Sequence, residues 1–264
     1  MYRDLMSLDA SGILRIGGTG VQSQNYTRVF THGGHTPSAH LSIHPSIMTD
    51  DLFADDPTQA RIFHLSSHAV LLKGFALAEA PALLQDIHDI ASQAPWRHML
   101  TPGGKSMSVA NTNCGDLGWT SDAGGYRYRP TDPITANPWP RIPERWLTLA
   151  ADAKQAAGFE AGPDPDACLL NRYAPGARLT LHQDRDERDF GVPIVSLSLG
   201  LPALFLWGGD ARSDPYRSVP LEHGDVLVWG GPDRLRFHGV KPVSDGLHST
   251  IGSYRFNVTM RKAG

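Results

Sequence analysis

PIVSLSLGLPALFLW, residues Pro193–Trp207, is two short apolar runs broken by Gly200, Leu201 and Pro202. The runs are too short for helices and are bounded by turn residues, so they read as buried strands. The same punctuation repeats on both sides. CLLNRY (168–173), RLTLHQD (178–184), DVLVWG (225–230), LRFHGV (235–240) and SYRFNVTM (253–260) are further short strands parted by Gly, Pro and Asp. A succession of such strands predicts a sandwich or jelly roll.

Upstream the period lengthens to that of helices. Glu79 to Ala94 sets Leu83, Leu84, Ile87, Ile90 and Ala91 on one stripe, with Pro81 near its start. Pro143 to Ala157 sets Trp146, Leu147, Ala150, Ala153 and Ala157 on another, with Gly158 as its C-terminal cap. Residues 101–141, rich in Gly, Pro and aromatics, read as a lid with hairpins that covers the core. Residues 1–47 lack periodicity and read as a disordered extension, its scattered histidines (His32, His35, His40, His44) inert; Met48 is a candidate start of the functional protein.

The 264 residues carry a net charge of −3, which argues against coating nucleic acid through an overall field. No apolar run approaches the ~20 residues of a membrane helix, and the N-terminus lacks a signal peptide. A cytoplasmic location and no membrane partner are expected. Cys114 and Cys168 fit no zinc or CxxC pattern and read as buried thiols.

Within RLTLHQD, His182 and Asp184 are two apart, and on a strand such residues share a face. His238, in LRFHGV, is a third candidate. Two histidines and a carboxylate suit non-haem Fe(II) with open positions, whereas zinc favours other spacings. An H-x-D pair alone also fits a hydrogen-bonded surface pair. The C-terminal strand adds a second constellation: Arg255, Asn257, Thr259 and Arg261 fall on one face, and Phe256, Val258 and Met260 on the other. That polar line is either a solvated edge or a slot for a small dianion, since arginine matches a carboxylate bidentately. Asn171 and Tyr173 could add polar contacts to the same ligand.

LLNRYAPGARLTLHQDRDERD, IVSLSLGLPALF, LEHGDVLVWGG and YRFNVTMRKAG, with upstream DLFADD, TPGGKSMSVANTNCGDLGW and NPWP, resemble the AlkB family of Fe(II)- and 2-oxoglutarate-dependent dioxygenases. The likeness runs from about Met48 to the end. It implies an α+β, mainly β fold, a double-stranded β-helix (jelly roll) with supporting helices. Residues 48–141 would be the N-terminal helix and nucleotide-recognition lid, and 142–264 the dioxygenase core. It implies His182, Asp184 and His238 as iron ligands, and Asn171, Tyr173, Arg255, Asn257 and Arg261 as 2-oxoglutarate contacts. Trp119 resembles a stacking wall for a flipped base, Tyr126 a nucleotide contact, and Asp186 and Arg212 positions near the base.

The implied activity is direct-reversal repair of N-alkylated bases such as 1-methyladenine and 3-methylcytosine in DNA, and in RNA as a further class. It uses O2 and releases succinate, CO2 and formaldehyde. The protein would act as a monomer. Asn111 departs from the pattern, standing where the bacterial prototype has methionine, and bears on base preference. Competing readings are a hydroxylase of a small molecule or protein, which would share the iron and arginine sets but not need Trp119, Tyr126 and Asp186, and a non-catalytic lesion-binding module.

Overall fold

The computed structural model describes residues 61–264. The expectations for residues 1–47 and for Met48 lie outside the described residues. In chain order the elements are β1 (Arg61–Ser66), β2 (Ala69–Lys73), α1 (Ala80–Gln93), β3 (Ala110–Gly115), β4 (Gly118–Asp122), β5 (Gly125–Arg129), α2 (Glu144–Ala156), β6 (Ala167–Tyr173), β7 (Leu179–His182), β8 (Ile194–Gly200), β9 (Ala203–Trp207), β10 (Arg217–Leu221), β11 (Val226–Trp229), β12 (His238–Val240) and β13 (Arg255–Arg261).

Two antiparallel sheets face each other. The larger has seven strands in the order β1-β2-β11-β8-β13-β6-β3, and the smaller four in the order β10-β9-β12-β7. Non-consecutive neighbours of this kind are the mark of the jelly roll. Alternation along the strands divides the larger sheet's two faces. Val195, Leu197, Val258 and Met260 pack outward on the helices, while Ile194, Leu227 and Trp229 pack inward on Phe205, Trp207 and Val240 of the smaller sheet. Part of the inner face is polar: Ser196, Ser198, Arg255, Asn257, Thr259 and Arg261 line it.

The helices lie within a residue of their expected bounds. In α1, Leu83, Leu84, Ile87 and Ile90 are buried, and Pro81 sits in the first turn, where its missing N–H costs nothing. In α2 the buried stripe is Trp146, Leu149, Ala150 and Ala153; Leu147, expected on it, is only half-buried. Offsets of three, four and seven from Trp146 define one face, and Leu147 lies off it. Trp146 Nε1 donates to Asp86 Oδ2 at 2.8 Å, tying α2 to α1. Gly158 follows the helix at φ +79°, a conformation glycine adopts without strain.

One expectation is corrected. The stretch 101–141, read as a cover, supplies β3, an integral strand of the larger sheet in which Asn111, Thr112, Asn113 and Cys114 are all buried. Its polar sequence disguised it, because one of its faces lines a polar interior. The hairpin β4–β5 forms a separate two-stranded sheet whose β4 packs against β3 and β6. Among the described residues no helix is long and apolar enough to cross a membrane.

Candidate metal and cosubstrate centre

β7 ends at His182, so strand alternation does not carry Asp184; it follows in an irregular segment. Pairing of β12 with β7 sets His238 directly opposite His182. Gly239 permits this approach, since a Cβ there would stand 2.7 Å from the Leu179 carbonyl oxygen. The ligand atoms of His182, Asp184 and His238 all lie within 4.8 Å of one another.

The ring tautomers follow from the backbone. His182 Nδ1 is 2.9 Å from the Thr180 carbonyl and His238 Nδ1 2.9 Å from that of Arg236. A carbonyl only accepts, so each Nδ1 carries the proton and each Nε2 offers a lone pair. The two Nε2 atoms stand 3.6 and 3.7 Å from the Asp184 oxygens. Burial, then the His182 ring, push the His238 pKa down to about 4, keeping its imidazole neutral. Burial would raise the Asp184 carboxyl, but Arg261 and the two imidazoles outweigh it and hold it well below the usual carboxylate range. Two Nε2 atoms and an ionised carboxylate thus converge. That donor set fits a divalent cation, and its facial two-His, one-carboxylate composition fits Fe(II).

Asp184 is held by a buried charge network that the sequence reading passed over. Arg261 Nη2 donates to Asp184 Oδ2 at 2.8 Å, and Arg234 Nη1 donates to the Asp184 backbone oxygen at 2.8 Å. Arg234 and Arg261 also meet Glu187 at 3.3 and 3.4 Å, and the Tyr128 hydroxyl donates to Glu187 at 2.7 Å. Two buried cations thereby match two buried carboxylates. The run DRDERD reads as solvated charge, and nothing in its composition marks Glu187 as 6% exposed.

Arg255 differs from Arg261. It is 1% exposed, donates from Nη2 to Ser198 Oγ at 2.9 Å, lies over the Tyr173 ring, and keeps Nε and Nη1 without hydrogen-bond partners among the described residues. Burial lowers its pKa and raises that of Tyr173 to about 12. A buried cation with unspent donors and, among the described residues, no ion pair is costly, and a carboxylate from a ligand would relieve it. Asn171 and Asn257, on the same face, bond to each other at 3.1 Å. Arg261, expected to serve the cosubstrate, ion-pairs Asp184 and Glu187 on the same face.

The hairpin supplies the outer wall. Asn113 accepts from the Trp119 backbone N–H and donates to its carbonyl, both at 3.0 Å, fixing β4 against β3. Trp119 Nε1 donates to Asp186 Oδ2 at 2.8 Å, and the Trp119 and Tyr126 rings stack at 5.4 Å. Tyr126 is largely exposed. Arg212 donates to the Leu181 carbonyl at 2.6 Å, beside His182.

A model of the 2OG-Fe(II) oxygenase superfamily matches residues 68–261. The chain is 54% identical over 217 residues to the alpha-ketoglutarate-dependent dioxygenase AlkB of Escherichia coli, covering 81% of this chain and 98% of that protein. It is 35% identical over 186 residues to the Arabidopsis thaliana DNA N(6)-methyladenine demethylase ALKBH1C, covering 61% of this chain and 41% of that protein. The solved structure of OsALKBH1 superposes with a TM-score of 0.67 at 29% identity, covering 76% of this chain and all of that one.

Proposed function

The chain belongs to the AlkB family of the 2OG-Fe(II) oxygenase superfamily, and on that premise we propose that it oxidatively removes N-linked alkyl groups from nucleic-acid bases. The substrate class is 1-methyladenine and 3-methylcytosine in DNA, with RNA as a second polymer. The observation that carries the reading is the alignment of three features: the His182–Asp184–His238 convergence, the unsatisfied Arg255 guanidinium, and the Trp119–Asp186 wall.

His182, Asp184 and His238 would hold Fe(II), leaving room for 2-oxoglutarate and O2. When bound, iron supplies oxygen activation: one oxygen atom of O2 leaves in succinate as 2-oxoglutarate loses CO2, and the other hydroxylates the alkyl carbon, which departs as formaldehyde. The protein's own work is positioning. Arg255 anchors the distal carboxylate of the cosubstrate, with Tyr173 packed beneath the guanidinium. Asn171, Asn257 and Arg261 complete the slot, Arg261 holding Asp184 as well.

A base inside a duplex cannot present its alkyl carbon to a buried centre, so it enters flipped. An alkyl group on the pairing edge has already prevented pairing, which lowers the cost. Trp119 offers an aromatic face worth roughly 1–3 kcal/mol in stacking. Asp186, oriented by the Trp119 indole, favours the cationic form of an alkylated adenine or cytosine. Tyr126 and Arg212 flank the entrance.

A hydroxylase of a small molecule or protein would share the inner centre but would give Trp119 and Asp186 no task. An aerobic assay with Fe(II), 2-oxoglutarate and a 3-methylcytosine oligonucleotide separates the two. Succinate, formaldehyde and reverted base should appear together; consumption of 2-oxoglutarate with no reverted base would overturn the reading. The same reading takes the enzyme as a cytoplasmic monomer, which cell fractionation and size-exclusion chromatography check.

A further inference from the structure

β3 sets Asn111 opposite Asn171, and β6 sets Asn171 opposite Asn257, so three carboxamides cross the inner face in a row. The direction of every amide in that row is fixed from its far end. Asn257 Nδ2 donates to the Leu197 backbone oxygen at 3.1 Å, a group that can only accept, and to Ser196 Oγ at 2.8 Å. Its Oδ1 therefore faces the other way, accepting from Asn171 Nδ2 and from Thr259 Oγ1, both at 3.1 Å. Asn171 Oδ1 then accepts from Asn111 Nδ2 at 2.6 Å. The row ends at Asn111 Oδ1, in a side chain 3% exposed, and that oxygen has no partner among the described residues. Turning the Asn111 amide over would set oxygen against oxygen at Asn171, so the free group is an acceptor.

Its location narrows what could supply a donor. Asn111 shares the inner face with Asn171, Asn257 and Arg255, the side on which Arg261 reaches Asp184. Two residues further along β3, Asn113 grips the backbone of Trp119. Asn111 is thus tied on one side to the amides beside Arg255 and, through its own strand, to the hairpin that carries Trp119. 2-Oxoglutarate cannot satisfy it, because its carboxylates and ketone only accept. The substrate base, entering against the Trp119 wall, can.

We propose that Asn111 is a specificity-determining residue whose Oδ1 accepts a hydrogen bond from the exocyclic amino group of the alkylated base. This rests on the demethylase reading given above. Cytosine- and adenine-type lesions carry such an amino group on the pairing edge. 3-Methylthymine carries only carbonyls there, which would set lone pair against lone pair. A site built to receive a donor rejects an analogue that lacks it, because its buried acceptor is left unpaired.

The test compares two single-stranded oligonucleotides that differ only in the lesion, 3-methylcytosine or 3-methylthymine, with the iron-loaded full chain. In Asn111→Leu, kcat/KM on 3-methylcytosine should fall about tenfold, the loss of one buried hydrogen bond, while that on 3-methylthymine holds or rises. Damage to the amide row or the fold lowers both alike and leaves their ratio unchanged, so the ratio reports specificity alone. Asn111→Ala, measured the same way, guards against a variant that does not fold. An unchanged ratio in both variants overturns the proposal. A wild-type protein that consumes 2-oxoglutarate but reverts neither lesion overturns the demethylase reading itself.

Discussion

Arg261 Nη2 donates to Asp184 Oδ2 at 2.8 Å, so the one carboxylate facing the two histidines is itself anchored by a buried cation. Removing the carboxylate and removing its anchor have different signatures. Asp184→Ala should abolish turnover and metal uptake, since only two neutral imidazoles remain. Arg261→Lys keeps a charge but loses the fork that spans Asp184 and Glu187, and should weaken Fe(II) binding by roughly 10–100-fold. Titration with Co(II) as a spectroscopic substitute reads both; unaltered affinity in the lysine variant would remove Arg261 from this role.

Arg255→Gln bears on the cosubstrate. A charge-assisted bond contributes roughly 1.5–3 kcal/mol, which corresponds to about a 10–150-fold rise in the 2-oxoglutarate concentration needed for half-maximal turnover. Iron binding should hold. A KM for 2-oxoglutarate equal to wild type would show that the guanidinium meets another anion.

Trp119→Ala separates substrate use from the inner chemistry. Reversion of 3-methylcytosine should fall by the stacking contribution, on the order of 1–3 kcal/mol, while consumption of 2-oxoglutarate without base continues. Equal loss of both activities would mean that Trp119 supports the fold.

Arg97 and Asp132 clasp the segment after β5 to the one before β3, a bidentate pair that includes Arg97 Nη2 to Asp132 Oδ2 at 2.7 Å, with the carboxylate 1% exposed. Burial would raise the Asp132 carboxyl, but Arg97 and the Ile134 backbone N–H outweigh it and lower its pKa. A group whose folded pKa lies below its unfolded value of ~3.9 contributes stability above that value and loses it as pH falls through the folded pKa. Asp132→Asn should therefore lower the Tm at pH 7, and its deficit against wild type should shrink below about pH 4. A deficit independent of pH would mean that the amide fails through packing rather than charge.

Regular patterning made much of this molecule legible. The strands from Cys168 onward other than β10, both helices and the two faces of β13 were readable because apolar and polar residues are patterned there at the period of each element, whereas Pro220 breaks up RSVPL of β10. β3 was hidden because both of its faces are buried, but one against polar groups, so Asn111 and Asn113 look like loop residues. Glu187 and Arg234 were hidden for a related reason. Buried charges that neutralise one another across long sequence separations look locally like solvated ones.

β2 pairs with β11 and β3 with β6, so strands from before Pro143 flank the later ones on both sides of the larger sheet. Excising the segment from Pro143 onward would bare two strand edges at once, each a ready template for pairing with another copy. The iron-binding half is therefore no portable module: expressed alone it should aggregate, and any dissection of the enzyme must keep β2 and β3 with it.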